Sequence, residues 1–191
     1  FIPYTKELLK DAPDILVVGN VSFPSGSDST SLKIVQAKEM IAAGCDEIDM
    51  VMNIGKLRSG EFEEVERDVR AVIETVRPIP VKVIIEVMDL TPQETEKACE
   101  ICLRAGATFV KTGTGWASRG TTLEDVRLVK SYVGDRIKIK ASGGVRDLNM
   151  LVEMYKAGAG RFGVNLKSGI KIVKECMSLG SGIEKYGKIN R

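Results

Sequence analysis

The chain has 191 residues, enough to bury a sizeable core, and its length suits one domain or a tightly packed pair. Lysine and arginine number 28 against 26 aspartates and glutamates, with both signs interspersed, so no basic stripe points to nucleic acid or an anionic membrane. Histidine is absent, which removes Ser-His-Asp and Cys-His triads, histidine-ligated zinc sites and imidazole as a general base. No apolar run approaches the roughly 18 to 20 residues of a membrane span, and no charged-then-apolar stretch opens the sequence. A cytoplasmic protein without membrane or nucleic-acid partners is expected.

The sequence opens on FIPYTKELLK, which reads as a helix, and then alternates short β-branched runs with amphipathic helical stretches. ILVVGNVSF (15–23) reads as a strand, followed by SDST (27–30) as a helix start and SLKIVQAKEMIAAG as its helix. EIDMVMN (47–53) precedes FEEVERDVRAVIETV, and VKVIIEV (81–87) precedes TPQETEKACEICLRAG. FVKTGTG (109–115), IKIKASGG (137–144) and RFGVN (161–165) are each followed by a further helical pattern, the last being SGIKIVKECMSLG. Several of these helices carry a Ser, Thr or Asp start and a Gly stop. Cys99 and Cys102 have CxxC spacing but fall on one face of a predicted helix, and no second pair follows at zinc-site spacing, so no metal site is expected.

Strand midpoints recur roughly every 24 to 35 residues without a linker, so a single α/β layer system is indicated, either an open doubly wound sheet or a closed (β/α)8 TIM barrel. Side chains alternate faces along a strand. One face of each central strand is apolar: Ile48, Met50 and Met52; Val83 and Ile85; Ile137 and Ile139. The other carries charge: Glu47 and Asp49; Lys82 and Glu86; Lys111; Lys138 and Lys140. A doubly wound sheet is covered by helices on both faces and should be apolar on both, whereas a barrel can hold a polar site inside, near the C-terminal ends of its strands. The pattern favours the barrel. Lys82 and Lys138, near the strand starts, read as structural ion-pair partners; Lys111, Lys140 and Asp49 lie nearer the mouth.

A free lysine with a pKa of about 10.4 is protonated at neutral pH and cannot attack a carbonyl. A second ammonium about 4 Å away, at an effective dielectric near 20, costs roughly 4 kcal/mol, or about 3 pKa units, which makes a nucleophilic amine available near pH 7. Lys111 and Lys140, on consecutive strands, could form such a pair, and Asp49 could relay protons through a water.

At these residues the chain resembles the 2-deoxyribose-5-phosphate aldolases. DEIDMVMN, VKVIIE, FVKTGTG and IKASGGVR follow that family's strand motifs in order and spacing, as do FIPYTKELLK and VVGNVSFPSG. The resemblance covers essentially the whole chain. It implies a class I aldolase without a cofactor, in which Lys111 forms the Schiff base, Lys140 depresses its pKa and Asp49 relays protons. Acetaldehyde would add reversibly, as an enamine, to glyceraldehyde 3-phosphate. It also implies a single (β/α)8 TIM-barrel domain over residues 1–191 whose first two strands, within a segment on the order of 50 residues, precede Phe1. A complete coding sequence starting at Phe1 would refute that expectation.

For the phosphate, ASGGVR offers Ser142, Gly143 and Gly144, and KTGTG offers Thr114 and Gly115. The family's last strand usually runs into a Ser-Ser pair, whereas FGVNLKSGI has Asn165 and Leu166 there, with Ser168 two residues late. A bulged loop through Asn165, Lys167 and Ser168 that still grips phosphate is the favoured reading. The alternatives are an aldolase for another, unphosphorylated aldehyde and a sugar-phosphate-binding barrel without turnover. Trp116 reads as a lid or packing residue, and the sequence leaves open whether the chain forms a homo-oligomer.

Overall fold

The computed structural model describes residues 1–180. Its six strands are β1 (Val18–Val21), β2 (Glu47–Val51), β3 (Val81–Ile84), β4 (Phe109–Lys111), β5 (Lys138–Ser142) and β6 (Arg161–Gly163). Every strand runs parallel to the next in sequence, in the order β1-β2-β3-β4-β5-β6. A doubly wound sheet reverses its strand order at a switch point, and this one never does. The architecture is a parallel α/β half-barrel of six strands.

Eight helices accompany the strands among the described residues: α1 (Ile2–Leu8), α2 (Thr30–Ala42), α3 (Ile54–Arg58), α4 (Phe62–Val76), α5 (Pro92–Ala105), α6 (Leu123–Val133), α7 (Leu148–Lys156) and α8 (Leu166–Ser178). Local sequence explains their starts. Ser29, in the predicted SDST signal, accepts a hydrogen bond from the Leu32 amide and opens α2, and Thr91 with Glu94 and Thr122 with Asp125 form capping boxes on α5 and α6. Gly106, in the left-handed conformation at φ 82°, ends α5. Among the described residues no helix is long and apolar enough to cross a membrane.

The strands are shorter than their apolar runs. Ser22 and Glu86 adopt left-handed backbone conformations (φ 54° and 50°), which take the chain out of the ladder just past β1 and β3. The two strand faces separate as the alternation predicts. Ile48, Met50, Val83, Val110 and Ile139 join one apolar core with Val65, Val69 and Val72 of α4, Val126 and Val129 of α6, and both cysteines of α5. Cys99 and Cys102 are core thiols, and burial pushes Cys99 up to about 12. Lys82, Asp49 and Lys111 occupy the opposite face of the sheet.

Outside the sheet the helix layer holds one buried ion pair. Lys33 of α2 donates to the Asp68 carboxylate of α4 at 2.5 Å and to the Val51 carbonyl at 3.2 Å, and Thr30 donates to the other Asp68 oxygen. Removing one member of such a pair strands the other charge in a low dielectric. Asp68→Ala is expected to lower unfolding stability by about 3 to 5 kcal/mol, read from urea denaturation midpoints.

Candidate active site

The side chains of the inner face meet at Asp49. Its Oδ2 accepts from Lys111 Nζ at 2.8 Å and from Lys140 Nζ at 2.9 Å, while its Oδ1 accepts from Lys82 Nζ at 2.9 Å. The register builds this directly: Asp49 lies beside Lys82 across β2 and β3, and Lys111 beside Lys140 across β4 and β5. Lys111 is only 6% exposed, and Lys82 is wholly buried. The sequence-derived trio of Lys111, Lys140 and Asp49 is therefore one contact cluster.

Below it, Lys82 also reaches Glu47 at 2.7 Å, and Arg161 of β6 spans the half-barrel to both Glu47 oxygens at 2.7 and 2.6 Å. Lys82 is thus an ion-pair partner, as expected. Lys138 is not. It is exposed, lies 5.6 Å from the centre of the Phe109 ring and forms no ion pair among the described residues. Arg161 sits 5.1 Å from the same ring and, with Lys82, already occupies Glu47, so no nearby carboxylate is left for Lys138.

Burial by itself would raise the Asp49 carboxyl, but the charges of Lys111 and Lys140, the hydrogen bond from Lys111 and the charge of Lys82 outweigh it and hold the group at about 2. Asp49 is ionised at any working pH. The Lys140 ammonium is lowered from its ordinary value, chiefly by burial; Asp49 opposes the shift, and the charges of Lys111 and Lys82 add to it. Three lysine amines thus converge on one carboxylate.

The predicted anion-binding residues divide. Thr114, Gly115, Ser142, Gly143, Gly144 and Asn165 line one cavity of about 330 Å³ at the C-terminal ends of β4, β5 and β6. Lys167 and Ser168 are not among the lining residues. Asn165 does not open a bulge; it caps α8, accepting from the Ser168 amide at 2.8 Å, so Ser168 is buried in the first helical turn. Trp116 is 76% exposed and so does not pack against the fold.

Backbone contacts fasten the two loops that form the cavity. A Cβ on Gly143 would lie 3.2 Å from Gly115 Cα, and one on Gly120 only 2.8 Å from Gly144 Cα, so glycine is needed at these crossings. Buried hydroxyls lock the same crossing: Thr121 donates to the Ser142 carbonyl at 2.5 Å, and Thr112 donates to Thr121 Oγ1 at 2.7 Å while accepting from the Ser142 amide at 2.9 Å.

One residue escaped the sequence reading, and another was placed without its partner. Arg146 lines the cavity and forms no ion pair among the described residues; its signal was its place in SGGVR. Glu86 does lie on the charged side, but it holds Thr114 rather than a lysine, a partner set by its left-handed turn.

Paired amines at the strand ends of a parallel α/β sheet, with a glycine-lined cavity at the same end, are the equipment of enzymes that act on carbonyl compounds. Comparison with known families agrees: the chain belongs to the DeoC/LacD family of aldolases, whose family model matches residues 5–173. A deoxyribose-phosphate aldolase of Sinorhizobium medicae (strain WSM419) is 41% identical over 189 residues, covering 98% of this chain and 76% of that protein. Another, of Staphylococcus epidermidis (strain ATCC 12228), is 46% identical over 173 residues, covering 91% and 77%. The solved structure of "QR15, an Aldolase" superposes with a TM-score of 0.86 at 40% identity, covering 95% of this chain and 82% of the other.

Lys82→Met deletes the cation shared by two buried carboxylates, and Asp49 then loses the partner that orients it. A loss of about 3 kcal/mol of stability is expected in urea titrations at pH 7.

Proposed function

We propose that this chain catalyses the reversible cleavage of 2-deoxy-D-ribose 5-phosphate to acetaldehyde and D-glyceraldehyde 3-phosphate through a Schiff base on Lys111. The observation that carries this reading is the sharing of Asp49 Oδ2 by the Lys111 and Lys140 amines. The printed names of the relatives at 41% and 46% identity support the same substrate.

In the synthetic direction the neutral Lys111 amine attacks acetaldehyde. The carbinolamine loses water to an imine, and loss of a proton from the adjacent carbon gives the enamine. That carbon bonds to the aldehyde carbon of glyceraldehyde 3-phosphate, whose oxygen takes up a proton. Hydrolysis then frees the sugar phosphate and restores the amine. Two amines on one carboxylate oxygen disfavour full protonation of the pair, which leaves an amine free to attack. Asp49, ionised and hydrogen-bonded to both, relays protons through a water.

The phosphate binds in the cavity of Thr114, Gly115, Ser142, Gly143, Gly144 and Asn165, where left-handed glycines present backbone amides. The guanidinium of Arg146, which forms no ion pair among the described residues, supports a phosphorylated acceptor over a neutral one. Lys167 and Ser168 take no part in this reading.

The six strands form part of a closed (β/α)8 barrel in a single domain. Two features support closure: β1 and β6 each pair on one side only among the described residues, and α8 exposes an apolar row, Leu166, Ile170, Val173 and Met177, at helical spacing. An enzyme of this kind serves deoxyribose-phosphate degradation in the cytoplasm.

Incubation with acetaldehyde and borohydride is expected to leave a two-carbon adduct on Lys111, read by peptide mass spectrometry, and Lys111→Ala to abolish both adduct and turnover. Folded wild-type protein without adduct would reject the reading. For Lys140→Leu the expected change is a shift of the trapping profile to higher pH, because loss of the neighbouring charge lets Lys111 hold its proton longer. An unshifted profile would reject the role given to Lys140.

A further inference from the structure

We propose that Glu86 is a positioning residue for the phosphorylated end of the substrate, acting through Thr114 on the loop that walls the glycine-lined cavity. The inference deepens the aldolase reading and rests on it.

Glu86 lies just past β3, is 7% exposed, and has φ 50°, a left-handed conformation that is costly for a residue with a Cβ. From that turn its carboxylate accepts from the Thr114 amide at 3.0 Å and from the Thr114 hydroxyl at 2.5 Å. The hydroxyl, its proton given to Glu86, accepts in turn from the Trp116 amide at 3.0 Å. One carboxylate therefore orders three consecutive residues. It also packs directly on the loop: a Cβ on Gly113 would lie 2.9 Å from Glu86 Oε1.

The next residue, Gly115, meets Gly143, so the position of this loop sets the shape of the cavity. Glu86 itself does not line the cavity, and among the described residues it forms no ion pair with Lys111, Lys140 or any other cation. Its two oxygens serve Thr114 instead. A carboxylate on this side repels a phosphate, so what Glu86 contributes to binding is geometry and not charge. A substrate without phosphate does not use that wall.

The test compares kcat and KM for acetaldehyde addition to glyceraldehyde 3-phosphate and to glyceraldehyde. The proteins are wild type, Glu86→Gly, Glu86→Gln and Thr114→Val. Glycine accepts φ 50° without strain, so Glu86→Gly deletes the carboxylate while keeping the turn. It is expected to raise KM for the phosphorylated acceptor about tenfold, with kcat, and both constants for glyceraldehyde, within about twofold of wild type. Glu86→Gln, which still offers an acceptor to the Thr114 amide, restores the wild-type KM. Thr114→Val, which also alters the cavity lining, raises KM for the phosphorylated acceptor at least as much, and adding Glu86→Gly to it changes nothing further because Glu86 acts through that contact. If Glu86→Gly does not fold, Glu86→Asn, which tolerates the left-handed turn and is one carbon too short to reach Thr114, carries the same comparison.

Borohydride trapping of acetaldehyde on Lys111 separates this inference from the aldolase reading. Wild type that does not trap defeats that reading. Intact trapping with an unchanged KM, or with equal losses toward both acceptors, defeats the assignment of Glu86.

Discussion

One carboxylate answers three ammonium groups, and the rest of the site depends on that imbalance. Two carboxylates, Glu47 and Asp49, face four cations, Lys82, Lys111, Lys140 and the half-exposed Arg161. A balanced cluster would keep every lysine protonated and inert. Here Lys82 and Arg161 satisfy Glu47 and one oxygen of Asp49, leaving a single oxygen for two amines. The surplus charge is stored in the strands themselves, whose parallel register sets Lys111 beside Lys140 whatever the loops do. The pairing of the two amines is thus a property of the sheet.

Recognition is built differently, from the loops beyond the strand ends. The β4–α6 and β5–α7 loops cross with backbone almost touching backbone at Gly115 and Gly143 and again at Gly120 and Gly144. Between these crossings the Thr112 and Thr121 hydroxyls link the Ser142 amide to the Ser142 carbonyl with water excluded, where a hydrogen bond is costly to break. A cavity walled this way has little freedom to change shape. A ligand that enters it meets a wall already ordered, so binding costs correspondingly little in loop entropy. Glu86 extends the same fastening from β3, so three successive strand ends contribute to one wall.

Much of this was legible in the residues because a strand repeats every two positions. Lys111, Lys140 and Asp49 declared themselves as charges in otherwise apolar runs, and the alternation assigned them to one side of the sheet. Period alone does not tell how high in the barrel a side chain sits. Lys138 has the same parity as Lys140, yet it lies two residues closer to the open end and emerges beside Phe109. The loop residues were harder to read. Asn165 fits a cavity wall and a helix cap equally well by type, and the structure gives it both places: it lines the cavity and caps α8 one residue later. Trp116 suggested packing by its size and stands in solvent.

What the sequence determined by itself was the class of chemistry and the face that carries it. The absence of histidine, the strand periodicity and the chain order of Asp49, Lys111 and Lys140 follow from residue identity and covalent spacing alone. Tertiary structure decided which charges meet and which are left free: Lys82 with Glu47 and Asp49, Arg161 with Glu47, Arg146 with none of the described residues. Those pairings join positions up to 114 residues apart and turn on angstroms of register, loop crossing and a left-handed turn at Glu86. Electrostatic energy falls with distance in space, and a sequence specifies only distance along the chain.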